Sequence, residues 1–111
     1  MNRICGLMMF RILAIVLCAV LLFASPAWAE SAQLFEFHCS GCHVNGGNIV
    51  RRGKTLRLKA LEKNGYGTVD TIAEIITNGK GNMSAYRERM SETEIRDLAQ
   101  YVLDRANENW K

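Results

Sequence analysis

Residues 39–43 read Cys39-Ser40-Gly41-Cys42-His43, and this window restricts the possible folds more than any bulk property of the chain. C-x-x-C-H is the spacing of covalent c-type haem attachment. Two thiols add across the two vinyl groups of the porphyrin, and the two-residue separation puts them on one side of a helical turn. The adjacent His43 then presents its imidazole to the iron from beneath the ring, while Ser40 and Gly41 are small enough for the backbone to approach the macrocycle edge. Two other chemistries compete for these residues. A redox-active dithiol expects a βαβ setting, and no strand-like alternation lies nearby. A zinc site built from His38, Cys39, Cys42 and His43 would crowd four ligands into six consecutive residues, whereas structural zinc pairs C-x-x-C with a distant second pair. His38 is expected to be a solvated side chain on a helix face.

The N-terminus explains where such a motif would be used. Arg3 and Arg11 precede an uncharged run from Ile12 to Ala29. Ser25-Pro26 and the small-x-small pattern Ala27-Trp28-Ala29 follow its most apolar part, which is the layout of a secretory leader cleaved before Glu30. An uncleaved anchor is the alternative, since 18 uncharged residues reach the lower limit for crossing a bilayer. A lipid anchor on Cys18 is not expected, because Leu17 fills the position where lipoprotein processing wants a small residue. Export suits haem attachment, which takes place outside the cytoplasm.

Residues 1–29 are therefore read as a discarded leader and residues 30–111 as one domain. These 82 residues carry 12 basic and 11 acidic side chains, no Pro, and only Cys39 and Cys42 of the four cysteines. A domain this small buries only about 60–65% of the surface its unfolded chain exposes and usually needs a disulfide, a metal or another staple. The near-balanced charge excludes nucleic acid as partner, since phosphate binding draws on clustered, uncompensated Lys and Arg.

A low-spin electron-transfer haem takes its second axial ligand from Met or His. In the mature chain Met83, Met90 and His38 are available. His38 is too close to the attachment turn to reach the opposite face. Met90 precedes the capping box Ser91-Glu-Thr-Glu94, where it can staple against Ile95. Met83 lies in Gly79-Lys-Gly-Asn-Met83, a glycine-rich loop able to fold closely over a flat ligand. It competes with a reading of Met83 as loop-anchoring core filler.

The rest of the pattern is helical. A first helix is expected from Ser31, its cap, to Ser40, with Leu34, Phe35 and Phe37 as apolar contributions. Residues 44–53 form a loop round one cofactor edge. A short helix over Thr55–Lys63 presents Leu56, Ala60 and Leu61, and Asn64-Gly65 stops it. A third starts near Thr68 and carries Val69, Ile72, Ala73, Ile75 and Ile76 to Asn78-Gly79. The last runs from the Ser91 cap with Ile95, Leu98, Ala99, Val102 and Ala106 on one face, and its tail ends with Trp110. The prediction is an all-α domain of about four short helices wrapped round its cofactor. The stripes are core first; the basic cluster Arg51, Arg52, Lys54, Arg57, Lys59 is a solvated face or else a docking patch or propionate partner.

From Phe35 to Lys111 the chain resembles the cytochrome c6 family of small soluble electron carriers. The resemblance is carried by Leu34-Phe35 before Cys39-Ser-Gly-Cys-His43, then Asn45-Gly-Gly-Asn48, Lys54-Thr-Leu56, Asn78-Gly-Lys-Gly81 with Met83, Arg89-Met-Ser91 and Trp110. It implies the class I cytochrome c fold, one haem c held by thioethers to Cys39 and Cys42, and His43 and Met83 as axial ligands. It further implies one-electron transfer from a cytochrome b6f-like donor to photosystem I or a terminal oxidase, in a thylakoid lumen or periplasm. No enzyme activity, small-molecule substrate or nucleic acid is expected, and the protein should be a monomer. Arg89 falls where the family has an arginine implicated in docking, with Lys54 as a second docking candidate.

Two positions depart from the family pattern. Ser84 follows Met83 where typical members have Pro, which removes a fixed φ and could loosen the methionine loop. Ile75 stands where typical members carry a Gln near the haem, as in a low-potential subgroup that this sequence resembles. A labile Met83 would suit a different function, a haem-based sensor or weak peroxidase.

Overall fold

The computed structural model describes residues 2–23 and 27–111. Ser25 and Pro26 of the expected processing site lie outside the described residues. The first helix, α1 (Asn2–Phe23), keeps its side chains exposed along almost its whole length. By length and composition it can cross a membrane, a test that a secretory leader passes equally well.

Among the described residues the remainder is helical and contains no strand. Its helices are α2 (Ala27–His38), α3 (Leu58–Lys63), α4 (Val69–Asn78) and α5 (Glu92–Asn107), with a short 3-10 turn at Val44–Gly46. The longest of these four, α5, organises the domain, packing against α2 and α4 and touching α3. Its start follows the expected pattern: the Ser91 hydroxyl accepts from the Glu94 amide, and the Glu94 carboxylate accepts from the Ser91 amide at 2.8 Å. Met90 and Ile95, the expected staple partners, are both buried. The stripe Ile95, Leu98, Ala99, Val102 and Ala106 lies in the core, where Leu98 and Ala99 have no exposed surface. Tyr101 joins it, with ring neighbours Phe35 at 5.7 Å and Trp28 at 5.2 Å. In α4, Ile72, Ala73 and Ile76 are buried as the period requires. Thr68 caps this helix by accepting from the Thr71 amide.

Three local expectations are corrected. Ser31 is not a cap: α2 begins at Ala27, and Ser31 is buried inside it. Phe37 does not contribute to the core. It is 84% exposed, because Phe35 and Leu34 already occupy the face of α2 that meets α5, and Phe37 falls on the far side of the helix. The helix expected from Thr55 starts only at Leu58. Leu56 is held out of it by tertiary bonds, its amide donating to Gly46 O at 2.8 Å and its carbonyl accepting from Trp110 Nε1 at 2.9 Å.

Candidate functional site

The four helices and the loops between them enclose a cavity of about 450 Å³. Cys39, Cys42, His43, Lys54, Ile75 and Met83 all line its walls. Arg89 is the one expected site residue that does not line it. Its guanidinium sits 5.5 Å from the ring centre of Tyr86, which does. Of the basic cluster, Arg51 and Lys54 reach the cavity, while Arg52, Arg57 and Lys59 face solvent. Phe35, Leu56, Leu61, Ile72, Ile76 and Leu98 make the interior wall apolar.

The attachment turn continues the axis of α2. The Cys39 and Ser40 amides donate to Phe35 O at 2.8 and 2.9 Å, and the His43 amide donates to Cys39 O at 2.9 Å. No disulfide joins the two cysteines. Burial, with a smaller contribution from Cys42, pushes the Cys39 thiol up to about 11. A neutral thiol at physiological pH is the opposite of the lowered pKa that marks redox-active dithiols. Among the described residues no group of three or more His, Cys, Asp or Glu side chains is placed so as to hold a metal ion.

His43 is oriented by the backbone. Its Nδ1 lies 2.8 Å from Gly47 O; because a carbonyl can only accept, Nδ1 is the donor, and in the neutral ring that leaves Nε2 as the nitrogen with a lone pair. Gly47 follows a 3-10 turn in which Asn45 and Gly46 have φ of 51° and 74°. The next turn is built by Asn48, whose side-chain oxygen accepts from the amides of Val50 at 2.9 Å and Arg51 at 2.7 Å.

Met83 sits on a tight turn closed by reciprocal bonds with Lys80, each 3.0 Å. Gly81, with φ 57°, takes the position where such a turn needs positive φ. Gly79 also has positive φ, and a Cβ there would collide with the Met83 carbonyl and the Ala85 amide. Downstream, the Tyr86 amide donates to Ile76 O at 2.9 Å and the Tyr86 hydroxyl to His38 O at 3.1 Å. Arg87 adds a hydrogen bond to the Asn78 side chain. The loop that Ser84 was expected to loosen is thus tethered on both sides of Met83. Burial, reinforced by Cys39 and opposed by Arg89, raises the Tyr86 pKa and keeps its hydroxyl a donor.

His38 corrects the expectation of a solvated side chain. It lines the cavity, half-buried, with its ring edge-on to Phe37 at 4.8 Å and Tyr86 at 5.6 Å. The Gly47 carbonyl and Tyr86 are the site groups that motif reading missed. A backbone acceptor leaves no side-chain signature, though the aromatic three residues after Met83 was visible.

Donors and walls together fit a large flat apolar cofactor. Comparison with known proteins agrees. Residues 26–102 match the family described as cytochrome C oxidase, cbb3-type, subunit III. A cytochrome c6-like protein of Nostoc sp. is 48% identical over 93% of this chain and 100% of its own length. Cytochrome c6 of Leptolyngbya boryana is 42% identical over 74% of this chain and 96% of its own. Among solved structures, cytochrome c6C from Synechococcus sp. PCC 7002 is 56% identical with a TM-score of 0.69, covering 71% of this chain and 96% of that one. Oxidised cytochrome c6A from Arabidopsis thaliana is 33% identical with a TM-score of 0.72, covering 78% and 97%.

Proposed function

This chain belongs to the cytochrome c6 family, and on that footing we propose that Cys39 and Cys42 hold its haem c through thioethers while His43 and Met83 ligate the iron. It is an electron-transfer protein with one covalently bound haem c, not an enzyme, and its partners are redox complexes. The haem supplies the reversible one-electron couple; the protein supplies ligands, a water-poor pocket and an approach for partners. The observation that carries the assignment is the bond from His43 Nδ1 to Gly47 O. It fixes the tautomer that a haem ligand needs, on a residue directly after two cavity-lining cysteines.

The finer reading is that electrons arrive from a cytochrome b6f-like complex and leave to photosystem I or a terminal oxidase. Val44, Ile49 and Val50, all more than half exposed beside the attachment turn, offer an apolar contact. Arg51, Lys54 and, near Tyr86, Arg89 offer positive charge to an acidic rim. Residues 1–29 are removed after export into a lumen or periplasm. Processing before Glu30 takes away Trp28 and leaves Tyr101 packed against Phe35.

The ferric holoprotein is expected to show a methionine–iron charge-transfer band, and the ferrous form to leave carbon monoxide unbound. A five-coordinate spectrum with rapid carbon monoxide binding would replace the carrier by the sensor or peroxidase. The tethers around Met83 support the carrier.

Ile75 is half-buried on the cavity wall. A Gln there would turn an amide donor toward the oxidised, more positive iron and disfavour it. One such polar interaction is worth about 1.4 kcal/mol, which for one electron is roughly 59 mV. Ile75→Gln is therefore expected to raise the midpoint potential by about that much in protein-film voltammetry. An unchanged or lowered value sinks the explanation.

A further inference from the structure

We infer that Trp110, the last residue but one, is a positioning residue for the His43 imidazole and so sets how strongly that ring donates to its metal. The inference rests on His43 being the axial ligand.

The chain takes an unfavourable route to place this side chain. Asn109 and Trp110 both have positive φ, 57° and 58°, a region that side chains other than glycine avoid without compensation. The Trp110 amide donates back to Arg105 O at 2.8 Å, so the tail reverses after α5 and lays the indole over the domain. There the ring meets Phe35 at 5.1 Å and the Arg105 guanidinium at 5.7 Å.

The indole then acts on one short loop in two ways. Its Nε1–H donates to Leu56 O at 2.9 Å, and the Leu56 amide donates to Gly46 O at 2.8 Å. Its ring also occupies the space a Cβ on Gly46 would need. Gly46 is buried and in the left-handed region, so Trp110 and Gly46 fit only as a pair. Gly47, the next residue, carries the carbonyl that accepts from His43 Nδ1. A continuous path of contacts therefore runs from the C-terminus to the ring nitrogen of the ligand. Simple core filling would need neither a directed N–H nor two consecutive residues with positive φ.

The consequence is electronic. A firm Nδ1–H···O bond makes imidazole a stronger donor, which favours the oxidised metal. When the loop is released, that bond lengthens, the ring donates less, and the reduced state gains.

The test compares the full-length haem-loaded protein with Trp110→Phe and Trp110→Ala. The readouts are hydrogen exchange of the His43 Nδ1 proton by NMR and the midpoint potential. Loss of one hydrogen bond's worth of protection is about tenfold. Trp110→Ala should exchange about tenfold faster with a raised potential. Trp110→Phe, which keeps a ring over Gly46 but lacks the donor to Leu56, should fall between and remain measurable if the alanine variant fails to load haem. Wild-type exchange and potential in whichever variants fold would overturn the inference, even with reduced thermal stability. Hyperfine-shifted His43 resonances in the ferric wild-type protein test the ligation separately. Their absence would bring down both readings, and their presence with unresponsive variants brings down this one alone.

Discussion

Met83→Ala in the haem-loaded protein is expected to abolish the methionine–iron charge-transfer band and to let the ferrous form bind carbon monoxide. Met83 is held by the paired bonds to Lys80, by the close approach of its carbonyl to Gly79, and by the two bonds that fix Tyr86. A loop restrained on both sides keeps any ligand-off conformer a minor state. For a minor population of about 0.1–10%, apparent affinity for an exogenous ligand is reduced by the same fraction. Deleting the thioether should thus raise apparent carbon monoxide affinity by about 10- to 10³-fold, measured by absorbance titration. A variant with the parent's spectrum and affinity would show that another side chain ligates the iron. Met90 cannot easily do so while buried in the core ahead of α5.

The second large effect is expected from Cys39→Ala combined with Cys42→Ala. Each thiol lines the cavity, and thioether formation turns haem binding into an intramolecular event. Non-covalent association costs an estimated 4–15 kcal/mol in lost translational and rotational freedom. The double variant should therefore release its haem to acidified acetone and lose the haem-staining band on a denaturing gel, where the parent keeps both. Either single variant retains one bond and should remain stained. Retained staining in the double variant would refute covalent attachment through this pair.

The elements that could be read ahead of the structure share a cause. The Ser91–Glu94 capping box, the stripe from Ile95 to Ala106 and the run from Ile72 to Ile76 are local patterns. Helix period and cap chemistry involve residues only three or four apart, so the chain states them directly. The same holds for Cys39, Cys42 and His43, whose chemistry lies in their spacing. One error falls where long-range contacts override local preference, and two where residue type alone was a poor guide to position on a helix. Leu56 belongs by pattern to a helix, but its amide and carbonyl are taken by Gly46 and Trp110. Phe37 is apolar by type and exposed by geometry. Ser31 has cap chemistry, yet α2 extends past it to Ala27.

The sequence by itself determined an all-α domain behind a leader-like helix, the attachment turn, and Met83 as the candidate second ligand. Each of these depends on residue identity or short spacing. Only the tertiary structure decided that Tyr86 ties the methionine loop to the His38 carbonyl, that Trp110 donates to the Leu56 carbonyl, and that its ring closes over Gly46. Those links join segments up to 64 residues apart, from Trp110 to Gly46, and two of them end on backbone carbonyls, which every residue carries. No side-chain pattern can announce such an acceptor; it becomes specific only when folding brings one donor within reach of it.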